Sequence, residues 1–499
     1  MKLVKRILCG ALAVTMAFGL CSCGKKEDGA SSGGITKVKL LLTGEKPAIF
    51  DEIYGEVNRM LREDVQAELE VVYMNSSDIS NKYSLLFTDA NSCDMVFSAN
   101  WIDYVKYAQK NCFMEITEDM IKEYMPQTYA SIPKDNLDDA RVNGKIYMIP
   151  GTTNDTNGVM LTIRGDLRKK YNLDPPKNFD DFYKYLKTVA ENEPELIAYT
   201  TPSDTNVWHS LGANFANSNG YDNIGIKFDM NADKFVVACA TEEYMKWAKL
   251  RRQMVEDGII PSDIYANKTV SSMFEQGRTP VYTGSFENTV KKYNKSNTEH
   301  PEWELEVYDI NEGRKIAVNN ATGSGISINA KSKKAEKALQ ILDLLRNDPR
   351  YYYLTQYGIE GKHWTKVGED GYDPSINEKL PEAERYEPGC VWGWINSKVA
   401  LNNVTVPPMI ADIAEKQKEQ TIVHPLSGFN FVDDDYKVKI TTVTGLGGQY
   451  SSSIGNGMLP IDQIEAANNE QIEALRQAGL FDVCDAMNEQ YQEFKKNKQ

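Results

Sequence analysis

Covalent catalysis needs a nucleophile beside a base, or an acid–base pair held across a substrate. No short-range spacing in this 499-residue chain supplies either. There is no G-x-S-x-G, no phosphate-loop lysine pattern and no G-x-G-x-x-G. Asp229-Met230-Asn231-Ala232-Asp233 opens like a calcium loop. Lys234 then stands where such a loop needs glycine, and Ala240 where it needs a chelating glutamate, so a turn between polar strands is expected. His209, His300, His363 and His424 are far apart and form no H-E-x-x-H pair. Of eight cysteines, Cys9, Cys21 and Cys23 lie near the N-terminus; Cys93, Cys112, Cys239, Cys390 and Cys484 are widely spaced without C-x-x-C. Buried free thiols are expected, with no metal site and no cofactor. Asp433-Asp434-Asp435 reads as a solvated carboxylate run. Any two of the 71 acidic residues could meet as a glycosidase pair, and that reading stays open.

Binding chemistry is better represented. Aromatic residues make up 10% of the chain, with 27 Tyr and 7 Trp. A sugar has C–H-rich faces and a hydroxyl rim, so a ring beneath it with polar groups around it satisfies both. Trp101 sits just past the carboxyl end of a strand. Trp208 lies beside His209 in a polar loop near Asn206. Trp392 and Trp394 alternate with Val391, Gly393 and Ile395 in a stretch that reads as extended, which would turn both rings to one face, of core or of cleft. Trp247 falls inside an amphipathic helix and reads as core.

The charge balance of 56 basic against 71 acidic residues opposes nucleic acid, which needs an excess of Lys and Arg. With 41% hydrophobic and 25% charged residues the chain reads as globular, and its length asks for two or three domains. Lys2, Lys5 and Arg6 precede an apolar stretch from Ile7 to Leu20, too short to span a bilayer comfortably. Leu20-Cys21-Ser22-Cys23 follows and resembles the bacterial lipobox. That resemblance implies cleavage after Ser22 and acylation of Cys23, with residues 1–22 as a lipoprotein signal peptide. The mature chain would keep 53 basic residues against 71 acidic, a net of −18. Residues 23–35 are polar and Gly/Ser-rich and read as a flexible tether.

Positioning elements follow in alternation. Lys37–Leu42, Glu68–Met74 and Asp94–Ser98 read as strands; residues 49–62, 78–87 and 101–109 read as helices. The βαβαβ order predicts an open, mainly parallel sheet with ligands beyond its carboxyl ends. Further on, residues 151–158 and 321–329 read as polar connectors. Residues 159–163 and 279–283 read as strands, and 179–190, 241–258, 335–346 and 481–496 as helices.

Several segments, taken in order, resemble the extracellular solute-binding proteins of bacterial ABC transporters, the class that includes the saccharide binders. They are LLTGEKP at 41–47, CDMVFSANWIDYVKYAQKNCFMEIT at 93–117, NGKIYMIPG at 143–151 and MFEQGRTPVYTGSFEN at 273–288. NDPRYYYLTQYGIEGKHW at 347–364 is similar to a Y-G-I-E-G-K-H-Y motif of lipoproteins with an additional C-terminal domain of unknown function; His363-Trp364 replaces His-Tyr. Asn111-Cys112 stands where glycine is usual, which bears on that turn's geometry. The resemblance implies an α/β, two-lobed, periplasmic-binding-protein-like fold. Each lobe would be a mainly parallel sheet flanked by helices, with the ligand cleft between lobes. Lobe one would take 36–152 with a return at 323–358; lobe two would take 153–322 and most of 359–499. By matching position it implies ligand contacts from Thr43, Glu45, Lys46, Asn100 and Asn288, and an aromatic platform at Phe286. The expected protein is a monomer, lipid-anchored on the extracellular face of the cell membrane. It captures a small solute, expected to be an oligosaccharide, by lobe closure, and delivers it to ABC permease subunits without covalent chemistry. The same fold binding a peptide or another polar solute, and a surface-anchored glycosidase, remain the rival readings.

Anchoring should depend on the Cys23 sulfur. Cys23→Ala is expected to give an uncleaved or released protein without alkynyl fatty-acid label, whereas Cys21→Ala keeps the label. Label retained on the Cys23 variant would sink the lipobox reading.

Overall fold

The structure, a computed structural model, describes residues 34–498 except 76–81, 90, 153–157, 201–207, 217, 219, 262–271, 311–312 and 319–320. The expected signal peptide, Cys23 and the expected tether as far as residue 33 lie outside the described residues. No described helix is long and apolar enough to cross a membrane.

The chain from Thr36 onward organises around two hydrophobic cores. The strand Thr36–Thr43 pairs in parallel with Ala67–Met74, from Thr36 opposite Ala67 to Thr43 opposite Met74, and on its other side with Met95–Ser98. On the flank away from Met95–Ser98, Lys37 faces Glu68 at 3.7 Å and Lys39 faces Glu70 at 3.4 Å, leaving Ala67–Met74 as a charged edge strand. Between these strands the helix Phe50–Val65 buries Ile53, Tyr54, Val57, Met60 and Leu61, the helical spacing of one apolar face. Asp94 pins the sheet. It is 3% exposed and accepts from the Lys39 amide at 2.8 Å and the Ser332 hydroxyl at 2.7 Å.

Residues 321–329, expected as a connector, hold the strand Gly325–Ile328. It lies antiparallel between Met95–Ser98 and Ile149–Pro150. The first sheet is therefore mainly parallel with one reversed strand, which arrives from far along the chain. Two helix expectations also change. Within 78–87 the described part is a 3-10 turn, Tyr83–Phe87, whose Tyr83 hydroxyl donates to the Phe97 carbonyl at 2.8 Å. Residues 101–109 divide at Asp103, which takes a left-handed φ of 60°, into a 3-10 turn, Asn100–Ile102, and a helix, Tyr104–Gln109. Asn111 adopts φ 55°, the backbone that the usual glycine would supply and that Asn tolerates best among other residues.

The second core departs from a parallel sheet. Met160–Ile163 pairs antiparallel with both Val281–Gly284 and Glu306–Tyr308. The long excursion between Ile163 and Val281 returns the chain from the opposite end, so no βαβ crossover sets the direction. Within that excursion Asn178 caps the helix Phe179–Asn192 by accepting from the Asp181 amide. Ile226–Asp229 and Lys234–Val237 form a hairpin whose turn is the Asp229–Asp233 segment. The Asp229 carboxylate accepts from the Asn231 and Ala232 amides, so the calcium-like pattern is a turn. The C-terminal helix Leu480–Lys498 docks on this hairpin. The Asn488 amide both accepts from the Phe235 N–H at 2.8 Å and donates to the Phe235 carbonyl at 3.0 Å. Of the C-terminal region, Tyr386, Cys390, Val391 and Trp394 join the first core, while Leu426 to Tyr491 contribute to the second.

His424 enters the second half in a buried position, 6% exposed, its Nδ1 accepting from the Leu426 amide at 3.2 Å. Burial pushes its pKa down to about 4, with Asp222 opposing. The unfolded chain protonates first, at about 6.5. Stability should therefore fall as pH drops from about 6.5 to about 4, by on the order of 3 kcal/mol from this group, and level off below. His424→Asn, which keeps an acceptor in place, should flatten that slope in urea unfolding followed across pH.

Candidate functional site

The carboxyl ends of the parallel strands and the start of the reversed strand converge on one edge of the first sheet. Gly44, at φ 100°, follows Thr43; Ala99, Asn100 and Trp101 follow Ser98; Gly323 and Ser324 precede Gly325; Gly151 follows Pro150. Residues 389–395 run along the same edge.

Two indoles are exposed there, Trp101 at 51% and Trp392 at 41%. They flank the buried Phe97 ring, each with its centroid 5.8 Å from it. Both are tethered. The Trp101 Nε1–H donates to the Gly323 carbonyl at 2.9 Å, and the Trp392 carbonyl accepts from the Ser324 hydroxyl at 3.2 Å. The next residue packs closely: a Cβ on Gly393 would lie 2.8 Å from the Ile326 side chain and 3.2 Å from the Phe97 ring.

The other expected site residues divide. Thr43 is buried at the strand end, Asn100 is half-buried, and Glu45 and Lys46 are exposed on the same edge. The Lys46 ammonium pairs with Asp51 at 2.8 Å and lies 4.6 Å over the Phe50 ring. Trp394 stands apart. Residues 392–394 form a 3-10 turn rather than an extended stretch, so the two rings diverge instead of sharing a face. Trp394 is fully buried in the first core, its Nε1–H donating to Thr355 Oγ1 at 3.2 Å. Trp208, Phe286 and Asn288 belong to the second half. Trp208 is half-buried and stacked on Trp247 at 5.1 Å; its neighbour Asn206 lies outside the described residues. Phe286 begins the helix Phe286–Glu299 and packs against the Met160, Val290, Val307 and Ile410 cluster. Asn288 is exposed and donates to Ser285 Oγ at 3.1 Å. From the same helix Lys291 reaches Glu387, close before Gly389, at 3.0 Å, joining the second half to the edge that carries the indoles.

Residues not anticipated hold these pieces in register. The chain passes between the cores near 150–152, 323–325 and 395–397. These crossings are hydrogen-bonded side by side: Gly151 N–H to Ser324 O at 2.8 Å, Thr152 N–H to Ile395 O at 2.9 Å and Ser397 N–H to Thr152 O at 2.9 Å. Arg346, 1% exposed, donates to the Pro150 carbonyl at 2.7 Å and to Thr152 Oγ1 at 3.2 Å. Burial pushes its guanidinium down to about 10. Asn396, 2% exposed, donates to the Arg346 carbonyl at 3.3 Å and accepts from the Thr152 hydroxyl at 3.2 Å. The readable sign was Arg346 itself, a charge four residues after Leu342 and seven after Leu339 on the apolar stripe of the helix Ala335–Asn347.

The Y-G-I-E-G-K-H-W segment serves structure rather than ligand. His363 Nδ1 accepts from the Ile359 amide at 2.9 Å, which leaves Nε2–H to donate to the Glu384 carbonyl at 3.2 Å, and the Trp364 Nε1–H donates to the Gly358 carbonyl. Cys93, Cys239, Cys390 and Cys484 are buried free thiols and Cys112 is half-buried. Burial raises all five above the ordinary thiol range, which disfavours the reactive thiolate. Among the described residues no group of three or more His, Cys, Asp or Glu could hold a metal ion. The arrangement of exposed rings and a polar rim suits binding.

Comparison with known proteins agrees with this architecture. The family described as bacterial extracellular solute-binding protein matches residues 48–349, and a domain of unknown function matches 425–496. A carbohydrate ABC transporter substrate-binding protein of Streptococcus pneumoniae is 25% identical over 99% of both chains. Lipoprotein LipO of Bacillus subtilis is 23% identical over 64% of this chain and 65% of its own. The crystal structure of the N-glycan transport solute-binding protein of Streptococcus pneumoniae superposes with a TM-score of 0.76 at 24% identity, covering 93% of this chain and 100% of that one. Its complex with Man5GlcNAc superposes with a TM-score of 0.74.

Removing the Arg346 guanidinium orphans the Pro150 carbonyl. Arg346→Met is expected to cost about 1–3 kcal/mol, read as a lower urea midpoint. A variant as stable as the parent would remove this role from Arg346.

Proposed function

The chain belongs to the family of bacterial extracellular solute-binding proteins, and on that premise we propose that it captures an oligosaccharide and delivers it, as a lipid-anchored monomer, to the permease of an ABC importer. It is an extracellular binding protein, not an enzyme, and its fold is the two-lobed one. One observation carries the saccharide reading: two exposed indoles flank Phe97 at the carboxyl edge of the first sheet, the Trp101 ring held by its Nε1–H on the Gly323 carbonyl and Trp392 held through its backbone carbonyl. Rigid rings of this kind match the C–H faces of pyranoses at little entropic cost. Glu45, Lys46 and Asn100 supply a polar rim on the same edge, while Trp208, Phe286 and Asn288 would meet the solute from the other side. The carbohydrate-binding relative of full length and the neighbour solved with Man5GlcNAc support the substrate class. LipO, a relative named as a lipoprotein, supports the anchor on Cys23.

Lobe one is read as 36–152 with the return at 323–358, and lobe two as 153–322 with most of the C-terminal region. Residues 386–395 are assigned to lobe one. The solute binds the closed arrangement better and shifts the population toward it.

A solute held at micromolar affinity corresponds to about −8 kcal/mol. Ring stacking adds about 0.5–1.5 kcal/mol beyond area burial between aromatic pairs, taken here as the scale for a ring on a sugar. Trp101→Ala should therefore weaken binding about two- to tenfold while leaving thermal unfolding near that of the parent. Titration calorimetry with the best ligand from an oligosaccharide thermal-shift screen tests this. Unchanged affinity removes Trp101 from the site. Binding of peptides alone overturns the saccharide assignment, and turnover of a glycoside overturns the non-enzymatic one.

A further inference from the structure

A second group of polar side chains gathers at the second-half ends of the three crossings. Gly158 and Val159 follow the first crossing, Arg314 precedes the strand Ile316–Val318 that leads into the second, and Gln417 lies in the helix Pro408–Glu419 that follows the third. Arg314 is 7% exposed, and its Nε has no hydrogen-bond partner among the described residues. Gln417 is fully buried. Its Nε2–H donates to Asp309 at 2.9 Å and reaches the Val159 carbonyl at 3.4 Å, but its Oε1 has no partner among the described residues. The chain comes so close to this amide that a Cβ on Gly158 would lie 1.9 Å from Oε1. Burial lowers the Arg314 guanidinium while the Asp309 charge opposes that effect. His209, next to Trp208, is lowered first by its own burial and then by Arg314, with Asp309 opposing.

An unpaired buried donor on a cation and an unpaired buried acceptor on an amide are costly in a folded interior. They point to a ligand that supplies both an acceptor and a donor. The nature of that ligand follows from charge. Arg314 and Asp309 bring opposite charges to the group, and burial lowers His209, which favours its neutral form. A carboxylate would pair with Arg314 but set its own charge against Asp309. A hydroxyl both donates and accepts, and completes the group without adding charge.

We propose that Arg314, Asp309 and Gln417 form a hydroxyl-recognising subsite that makes the protein select neutral over acidic oligosaccharides. This rests on the saccharide reading above and goes further by fixing the class of sugar. Arg314 donates to a ring hydroxyl, Gln417 Oε1 accepts from one, and Asp309 excludes uronates.

The experiment is calorimetry of the mature protein against neutral gluco-, manno- and fructo-oligosaccharides and against oligogalacturonates of equal length. The parent should bind a neutral ligand at least tenfold more tightly than any uronate. Arg314→Met should weaken the neutral ligand tenfold or more without lowering the thermal midpoint. Asp309→Asn should narrow the preference by admitting the uronate, and it decides the matter should Arg314→Met fail to fold. Tighter binding of uronates by the parent overturns the subsite. So does a preference that Asp309→Asn leaves intact, or a folded Arg314→Met that binds as the parent does; these leave the saccharide-binding role standing. Failure of every oligosaccharide to bind the parent overturns both readings.

Discussion

Arg346 carries a guanidinium into the interior, and the acceptors it meets there belong to the first crossing, the Pro150 carbonyl and the Thr152 hydroxyl. Much of the site geometry depends on that placement. Thr152 in turn exchanges backbone hydrogen bonds with Ile395 and Ser397, so the third crossing lies against the first. Gly151 binds Ser324, so the second does too. The two exposed indoles hang from these crossings. Trp101 is held by the carbonyl of Gly323, one residue from Ser324, and Trp392 lies three residues before Ile395, with its own carbonyl held by Ser324. A buried charge is expensive, and here the cost falls where the three passes of the chain must stay in register. Because the crossings share hydrogen bonds, bending one without the others would break several at once. Any movement between the halves is then concerted.

The parts of this architecture that were legible in sequence are those set by local pattern. KVKLLL, ELEVVYM and DMVFS are short apolar or alternating runs, and each became a parallel strand within a residue or so of its expected limits. Trp101 followed from the same logic, since a residue just past a strand's carboxyl end must lie at the open edge of the sheet. What could not be read depends on distant partners. Gly325–Ile328 has no local sign that it enters the first sheet in reverse, because its neighbours Ser98 and Pro150 lie far back in the chain. The second half's antiparallel pairing is hidden for the same reason. The WGW stretch misleads differently. Alternation of large and small residues suggested extension, but the 3-10 turn lets Gly393 approach Ile326 while one indole turns to the core and the other outward. At Asn111 a substitution of the usual glycine changes little, since Asn accepts the same left-handed backbone.

Buried polar residues are used in more than one way, and both halves keep some atoms without partners among the described residues, Arg346 Nε among them. In the first core Asp94 and Asp343 are buried yet satisfied, Asp343 by the Thr128 amide and hydroxyl and by Asn347. Such networks pin helices and turns to one another. Near the second-half ends of the crossings, buried polar atoms of Arg314 and Gln417 remain without partners among the described residues. A protein whose task is to hold a polar solute briefly must keep some of its hydrogen-bonding capacity unspent until the solute arrives.

The edge strand Ala67–Met74 has a consequence of another kind. Its outer row of backbone groups has no neighbouring strand among the described residues, and the Asn58 side chain occupies the Leu69 N–H and carbonyl; an unguarded row of this sort is a template on which a second chain could polymerise. Glu68 and Glu70, each matched to a lysine on the adjacent strand, place carboxylates along that margin. Two molecules meeting edge to edge would have to desolvate or break these ion pairs. On the anchored protein proposed above, where copies would be confined to two dimensions and collide often, this margin would act as a spacer. It would keep neighbouring copies from pairing edge to edge.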